Sequence, residues 1–290
     1  MQGLFFILLS LAAFLASPLA YSQANILGVT ESTSETSIDS NKAKSIFDNF
    51  NSRIGAMGRS DFKETSDESK YVGSQLNLGV GYRFSPVDSI FLNNTMFKDL
   101  ENNYEESFLD SRLTYTRAGI YKNKNMTVNL GFIGIIPVSE RSTKRDRLTT
   151  ALEVSPTAIF DMAAYIPGLT LIYIPRVRKN FHEFRTDING GNLTEYSMLN
   201  ILVGSFAVND SISLSSTLVY VLSTEYTGTN NNPAYLTAQD ITYSFNRTYS
   251  ASLGIETGGQ VRALERGQDE NIKIFDADTT QFYAGFNLNF

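Results

Sequence analysis

Residues 280–290 read Thr280-Gln281-Phe282-Tyr283-Ala284-Gly285-Phe286-Asn287-Leu288-Asn289-Phe290. Side chains of a strand alternate between its two faces, so Phe282, Phe286, Leu288 and Phe290 share one face, and Gln281, Tyr283, Asn287 and Asn289 share the other. The same period of two governs Val72–Phe84, where Leu76, Leu78, Val80, Tyr82 and Phe84 oppose Gln75, Asn77, Gly79, Gly81 and Arg83. It returns with Leu148, Leu152, Val154 and Phe160, and again with Ile212, Leu214, Leu218, Tyr220 and Leu222. Runs of about 10 to 14 residues exceed the usual soluble strand and suit a tilted crossing of a bilayer.

The connections alternate as well. Short turns are expected near Ser85–Asp88, Lys122–Asn125, Met162–Pro167, Asn209–Asp210 and Asn246–Arg247. Longer polar stretches lie near Ser60–Ser69, Asp99–Glu106, Glu140–Asp146, Asn180–Leu193, Tyr226–Leu236 and Gln260–Ala277. Long extracellular loops alternating with short periplasmic turns are the pattern of a membrane barrel. Counting back from the C-terminus gives eleven strands, and Ser45–Arg59 supplies a twelfth, with Ile54 and Ala56 as its apolar face. The expected fold is all-β, a transmembrane antiparallel up-and-down barrel of twelve strands spanning 45–290, with both termini in the periplasm.

The terminal aromatic Phe290, with Leu288, Phe286 and Phe282 two, four and eight positions earlier, resembles the C-terminal signal of bacterial outer-membrane proteins. The resemblance implies recognition by the barrel assembly machinery. At the other end, Leu4–Leu15 is almost wholly apolar, and Ala20 and Ser22 stand in the small-x-small relation of a signal-peptidase site. Residues 1–22 are therefore read as a secretory leader, although Met1-Gln2-Gly3 carries no basic residue. Residues 23–44 form a polar N-terminal arm.

Bulk composition narrows the function. The chain of 290 residues has no cysteine, which removes disulfides and thiolate metal sites. A formal net charge of -6 argues against nucleic acid as a partner. His182 is the single histidine, and no motif pairs it for catalysis, so an idle, solvated residue and a chain without enzymatic activity or cofactor are expected. Asp187-Ile188-Asn189-Gly190-Gly191-Asn192 faintly resembles a calcium loop but lacks its downstream glutamate; turn chemistry is the simpler reading.

Charge on the strand faces is more telling. Arg83, Asp110, Arg112, Glu153, Arg176, Arg178, Asp240 and Glu256 fall opposite the apolar faces, because a charge facing lipid costs several kcal/mol near the midplane. Their mixture of signs fits internal pairing as well as ion selectivity. Arg141, Lys144, Arg145, Arg147, Arg178, Lys179 and Arg185 crowd two loops, after two acidic loops holding Asp61, Glu64, Asp67 and Glu68, then Asp99, Glu101, Glu105 and Glu106. Such a basic rim can bind outer-leaflet glycolipid, pair with the acidic loops, or simply be solvated.

Two features break the pattern. Pro137, Pro156 and Pro175 fall on three consecutive strands, where a closed barrel would need bulges or kinks to hold them. Ile133, Ile135, Ile172 and Ile174 share the lumen face beside them. They suit either a small hydrophobic solute in transit or packing under a loop or the arm. The functional expectation is a solute channel or transporter, with a structural or surface-interaction barrel as the alternative. Deleting Phe290 should sharply lower the outer-membrane yield without affecting secretion, as read by fractionation; unchanged assembly would contradict the signal.

Overall fold

A computed structural model describes residues 49–63, 70–100, 106–262, 272–277 and 279–290. The leader and the arm lie outside the described residues. The described chain is almost entirely antiparallel sheet, and each strand pairs with its sequence neighbour. In order these are β1 (Phe50–Asp61), β2 (Val72–Arg83), β3 (Asp88–Asp99), β4 (Glu106–Phe108), β5 (Ser111–Lys122), β6 (Met126–Ile136) and β7 (Leu148–Asp161). They continue with β8 (Leu169–His182), β9 (Thr194–Ala207), β10 (Ile212–Glu225), β11 (Ala234–Ser244), β12 (Tyr249–Gln260) and β13 (Gln281–Asn289). A short π-helix, Arg141–Arg145, interrupts the loop between β6 and β7.

Thirteen strands make twelve staves. The short β4 covers the loop-end half of β3, pairing Met96 with Phe108, and β5 covers the turn-end half, pairing Asn93 with Arg112. The Asn94 side-chain amide donates to the Leu109 carbonyl and to Ser111 Oγ, each at 2.9 Å, and so bonds to the chain at the break between the two pieces. The ring shuts between β1 and β13, in register from Arg53 opposite Asn289 to Asp61 opposite Gln281. Ser52 and Phe290 exchange both backbone hydrogen bonds. The first stave begins at Phe50 and runs through Asp61, rather than from Ser45 to Arg59.

Outward parity matches the expected apolar face. Leu78, Val80, Leu152, Leu222, Ile241 and Leu253 are exposed on the outer wall. Phe282, Phe286, Leu288 and Phe290 all lie on that face of the last stave and its end. Aromatics gather where an interface belt is expected: Phe50–Tyr82 and Tyr243–Phe245 pack edge to face at the turn end, with ring centroids 4.9 Å apart. At the loop end Lys179 lies 4.0 Å over the Tyr196 ring and pairs with Glu195, which occupies a bulge in β9.

The prolines are accommodated without the expected bulges. Pro137 falls just beyond β6. Pro156 and Pro175 fall opposite each other between β7 and β8, whose pairing lapses between Val154–Val177 and Ala158–Tyr173 and resumes in the same register. Two residues that cannot donate thereby share one gap in the ladder, and the pairing of Pro156 with Leu130 on the other side is uninterrupted. The β7–β8 irregularity lies instead at Leu148–Thr150. That shift turns Leu148 inward, where it is buried at 7% exposure, rather than onto the outer face with Leu152.

The lumen is built in rows. Ile174, Ile201, Val219 and Leu236 are direct cross-strand partners over β8–β11. With Ile172, Val203 and Ala234 they form one buried cluster, and Ile133, Ile135 and Ala151 form another. Ile133, Ile135, Ile172 and Ile174 are thus all buried within these clusters. A buried methylene-rich side chain cut to alanine loses about 2–5 kcal/mol, whereas lipid can fill the space left outside the wall. Ile174→Ala should therefore lower unfolding stability in micelles by that amount and outward Leu222→Ala by less than half as much. Equal losses would contradict an inner core.

Candidate functional site: a charged cavity at the loop end of the lumen

Above the isoleucine rows the lumen opens into a cavity of about 560 Å³. Arg112 of β5, Glu153 of β7, and Arg176 and Arg178 of β8 converge on one wall. Glu153 sits across the ladder from Arg178 and two staves from Arg112. Its carboxylate pairs with Arg112 at 2.6 Å and Arg178 at 3.7 Å. Arg178 Nε also donates to Asn180 Oδ1 at 2.6 Å. Arg176 is 3% exposed, and its Nε has no hydrogen-bond partner. Two guanidinium groups thus pair with one carboxylate, and Arg176 lies beside them outside the ion pairs, so arginine outnumbers carboxylate within this group.

The opposite wall has its own cluster. Arg59 of β1 pairs with Glu256 of β12 at 3.4 Å, both deeply buried. Tyr283 of β13 lies between them in register, opposite Arg59 on one side and Gly254 on the other. A Cβ on Gly254 would come within 2.6 Å of the Tyr283 ring, so glycine there makes room for it. Asp240 accepts hydrogen bonds from the Ser215 and Thr242 hydroxyls. Since β1 and β8 are six staves apart in a ring of twelve, the acidic and basic clusters face each other across the lumen.

The remaining predicted residues separate from this core. Asp110 lies outside the strands, between β4 and β5, at the cavity rim; it accepts from the Val138 and Ser139 amides and the Ser142 hydroxyl, fastening the β6–β7 loop. Arg83 ends β2 at the turn end and is exposed, away from the other charges, so it does not line the filled part of the lumen. Of the isoleucines, Ile135 touches the cavity, while Ile133, Ile172 and Ile174 are buried away from its lining.

His182 is not a solvated loop residue. It closes β8, lines the cavity and packs on Tyr226, whose hydroxyl receives the His182 amide hydrogen at 3.2 Å and donates to the Asn180 carbonyl at 2.8 Å. The segment at Asp187 is a turn: Asp187 Oδ1 accepts the Asn189 and Gly191 amides, and Gly190 has φ 81°. Burial raises the Asp187 pKa, but those amides and Arg145 outweigh it and hold the carboxyl below its ordinary value.

Four of the basic residues pair with carboxylates of the same two loops. Arg141 meets Asp146 at 3.2 Å, Lys144 meets Glu140 at 2.8 Å and Arg145 meets Asp187 at 3.4 Å. Arg147 reaches Glu183 at 3.9 Å. Glu64, Asp67, Glu68, Glu101 and Glu105 of the acidic loops lie outside the described residues. Sequence reasoning misses Arg59 and Tyr283. Their lumen parity is legible, but their meeting with Glu256 depends on ring closure between chain ends.

No protein-family model and no curated protein matches the sequence. Solved structures do match in fold. An outer membrane channel from Pseudomonas putida F1 superposes with a TM-score of 0.55 at 9% identity, covering 83% of this chain and 95% of that one. The NanC porin gives 0.54 at 9% identity, covering 82% of this chain and 98% of its own. The likeness is one of fold, that of an outer-membrane barrel. Removing one partner of a buried pair strands the other charges, at about 3–5 kcal/mol. Glu153→Gln should therefore destabilise the barrel by roughly that amount in urea titrations, and an unchanged midpoint would show that the arginines do not depend on it.

Proposed function

We infer that the protein is an outer-membrane channel for small solutes, with the long loops outside and both termini in the periplasm. The observation that carries this reading is a set of buried lumen polar atoms with no hydrogen-bond partner among the described residues. Gln75 Oε1, Ser250 Oγ and Glu256 Oε2 lie on the wall of β2 and β12, and Arg176 Nε lies on the opposite one. Buried polar groups are normally satisfied by protein or water, so the charged side of the lumen calls for water or a polar solute. Polar atoms on both walls, with a cavity at the loop end, outline a narrow hydrated path beside the packed isoleucine rows. The fold shared with known channels supports the reading.

A structural barrel without a pore is the second reading. The buried row Ile174–Ile201–Val219–Leu236, which fills one side of the lumen, is what favours it. Neither reading assigns a catalytic role to His182, whose Nδ1 faces Tyr226 Oη at 3.3 Å. The outer wall is proposed to contact lipid, the loop rim to meet outer-leaflet glycolipid, and the last stave to be recognised by the assembly machinery.

Refolded protein in a planar bilayer should give discrete conductance steps. A folded barrel that never conducts would leave the structural reading. Trypsin added to intact cells should cut at Arg145 and spare Lys122 and Lys124; the reverse pattern would invert the orientation.

A further inference from the structure

Arg176 is the arginine that the ion pairs leave over. Glu153 is occupied by Arg112 and Arg178, and Asp110 by the Ser142 hydroxyl and two amides. Arg176 Nε has no hydrogen-bond partner among the described residues, and Glu153 acts on the group only at longer range, not through an ion pair; the side chain is almost wholly buried and lines the cavity. A desolvated guanidinium with an unsatisfied donor is costly, and a carboxylate or phosphate oxygen is the acceptor that suits its fork best.

What lies beside Arg176 narrows the class further. Its direct partner on β9 is Leu199, the partner of Leu199 on β10 is Val221, and the partner of Val221 on β11 is Ala234. All four line the same cavity. Strands are spaced by about 4.8 Å, so an apolar strip some 10 to 14 Å long leads away from the guanidinium along a single lumen row. One row deeper the wall is closed by Ile174, Ile201, Val219 and Leu236. One row toward the loops it turns polar, with Ser197 and Ser223.

We propose that this row is a binding site for a small organic anion with an apolar body, its carboxylate on Arg176 and its hydrocarbon along Leu199, Val221 and Ala234. The site deepens the channel reading and rests on it for its purpose: it would be the station at which such an acid is held during passage. It joins two features of the lumen that point in different directions, a buried arginine outside the ion pairs and an apolar row beside it, in one ligand.

The test is calorimetric titration of the full barrel in lipid nanodiscs, with empty discs as the blank, because it reads binding whether or not the barrel conducts. Hexanoate should bind saturably. Acetate, which has only the head, 1-hexanol, which has only the body, and inorganic phosphate should each bind more weakly. Arg176→Gln should weaken hexanoate by about tenfold or more, the usual scale for losing a charged hydrogen bond. Leu199→Asn, which leaves the arginine in place, should weaken hexanoate but not acetate. Hexanol binding as tightly as hexanoate would overturn the role of Arg176, and so would an unchanged affinity in a folded Arg176→Gln variant. Acetate or phosphate matching hexanoate would reduce the site to a bare anion site and overturn the proposal. Hexanoate binding to a barrel that never conducts would fail the channel reading alone; a conducting barrel that ignores hexanoate would fail this proposal alone.

Discussion

Backbone hydrogen bonding in hydrocarbon is the constraint from which the rest follows. No water is available there to satisfy an N–H or C=O, so a sheet that crosses a bilayer must have no edge. The chain meets that demand by pairing its first stave with its last, Arg53–Asp61 against Gln281–Asn289. Local irregularities obey the same rule. Pro156 and Pro175 share a single gap in the ladder, and the Asn94 side chain bonds to the chain at the break between β4 and β5.

Closure also creates the site. Strand parity sends polar and charged residues inward, but only the ring decides which of them meet. Arg112, Glu153 and Arg178 meet because their staves are near neighbours, whereas Arg59 and Glu256 meet because the seam brings chain ends together. The lumen that results is divided. Isoleucine and valine rows pack against the β8–β11 wall, and ionic groups occupy the rows above and the wall opposite. Arg176 lies at the boundary, next to Leu199 in its own row and one row above the buried pair Ile174–Ile201.

Much of this architecture is legible in the amino-acid sequence. Parity along Thr280–Phe290 and Val72–Phe84 assigns the outer face residue by residue, because the period of a strand is fixed by its geometry. Loop alternation yields twelve staves. Three things stay hidden at that level. Leu148 turns inward through a register shift that parity cannot foresee. Asp110 shares lumen parity with Arg112, but the break after Phe108 removes it from the ladder and gives it to a loop. Arg59 reads as the end of a weak first strand, since its partners lie 197 or more residues away in sequence. Long-range pairing carries no local signature. Side-chain satisfaction is equally invisible: the lumen arginines look alike in sequence, and only packing shows that Glu153 pairs with Arg112 and Arg178 and not with Arg176.

Cross-linking across the seam tests the closed ring most directly, and the absence of native cysteine makes it clean. Gly55 and Asn287 are direct partners between β1 and β13. The nearest atom that a Cβ on Gly55 would meet is the Asn287 side-chain oxygen, which the second substitution removes. The double variant Gly55→Cys, Asn287→Cys should form an intramolecular disulfide in the assembled protein under mild oxidation. The offset pair Gly55→Cys, Gly285→Cys should not. No disulfide in the matched pair, or equal yields from both pairs, would contradict the ring and the lumen that depends on it.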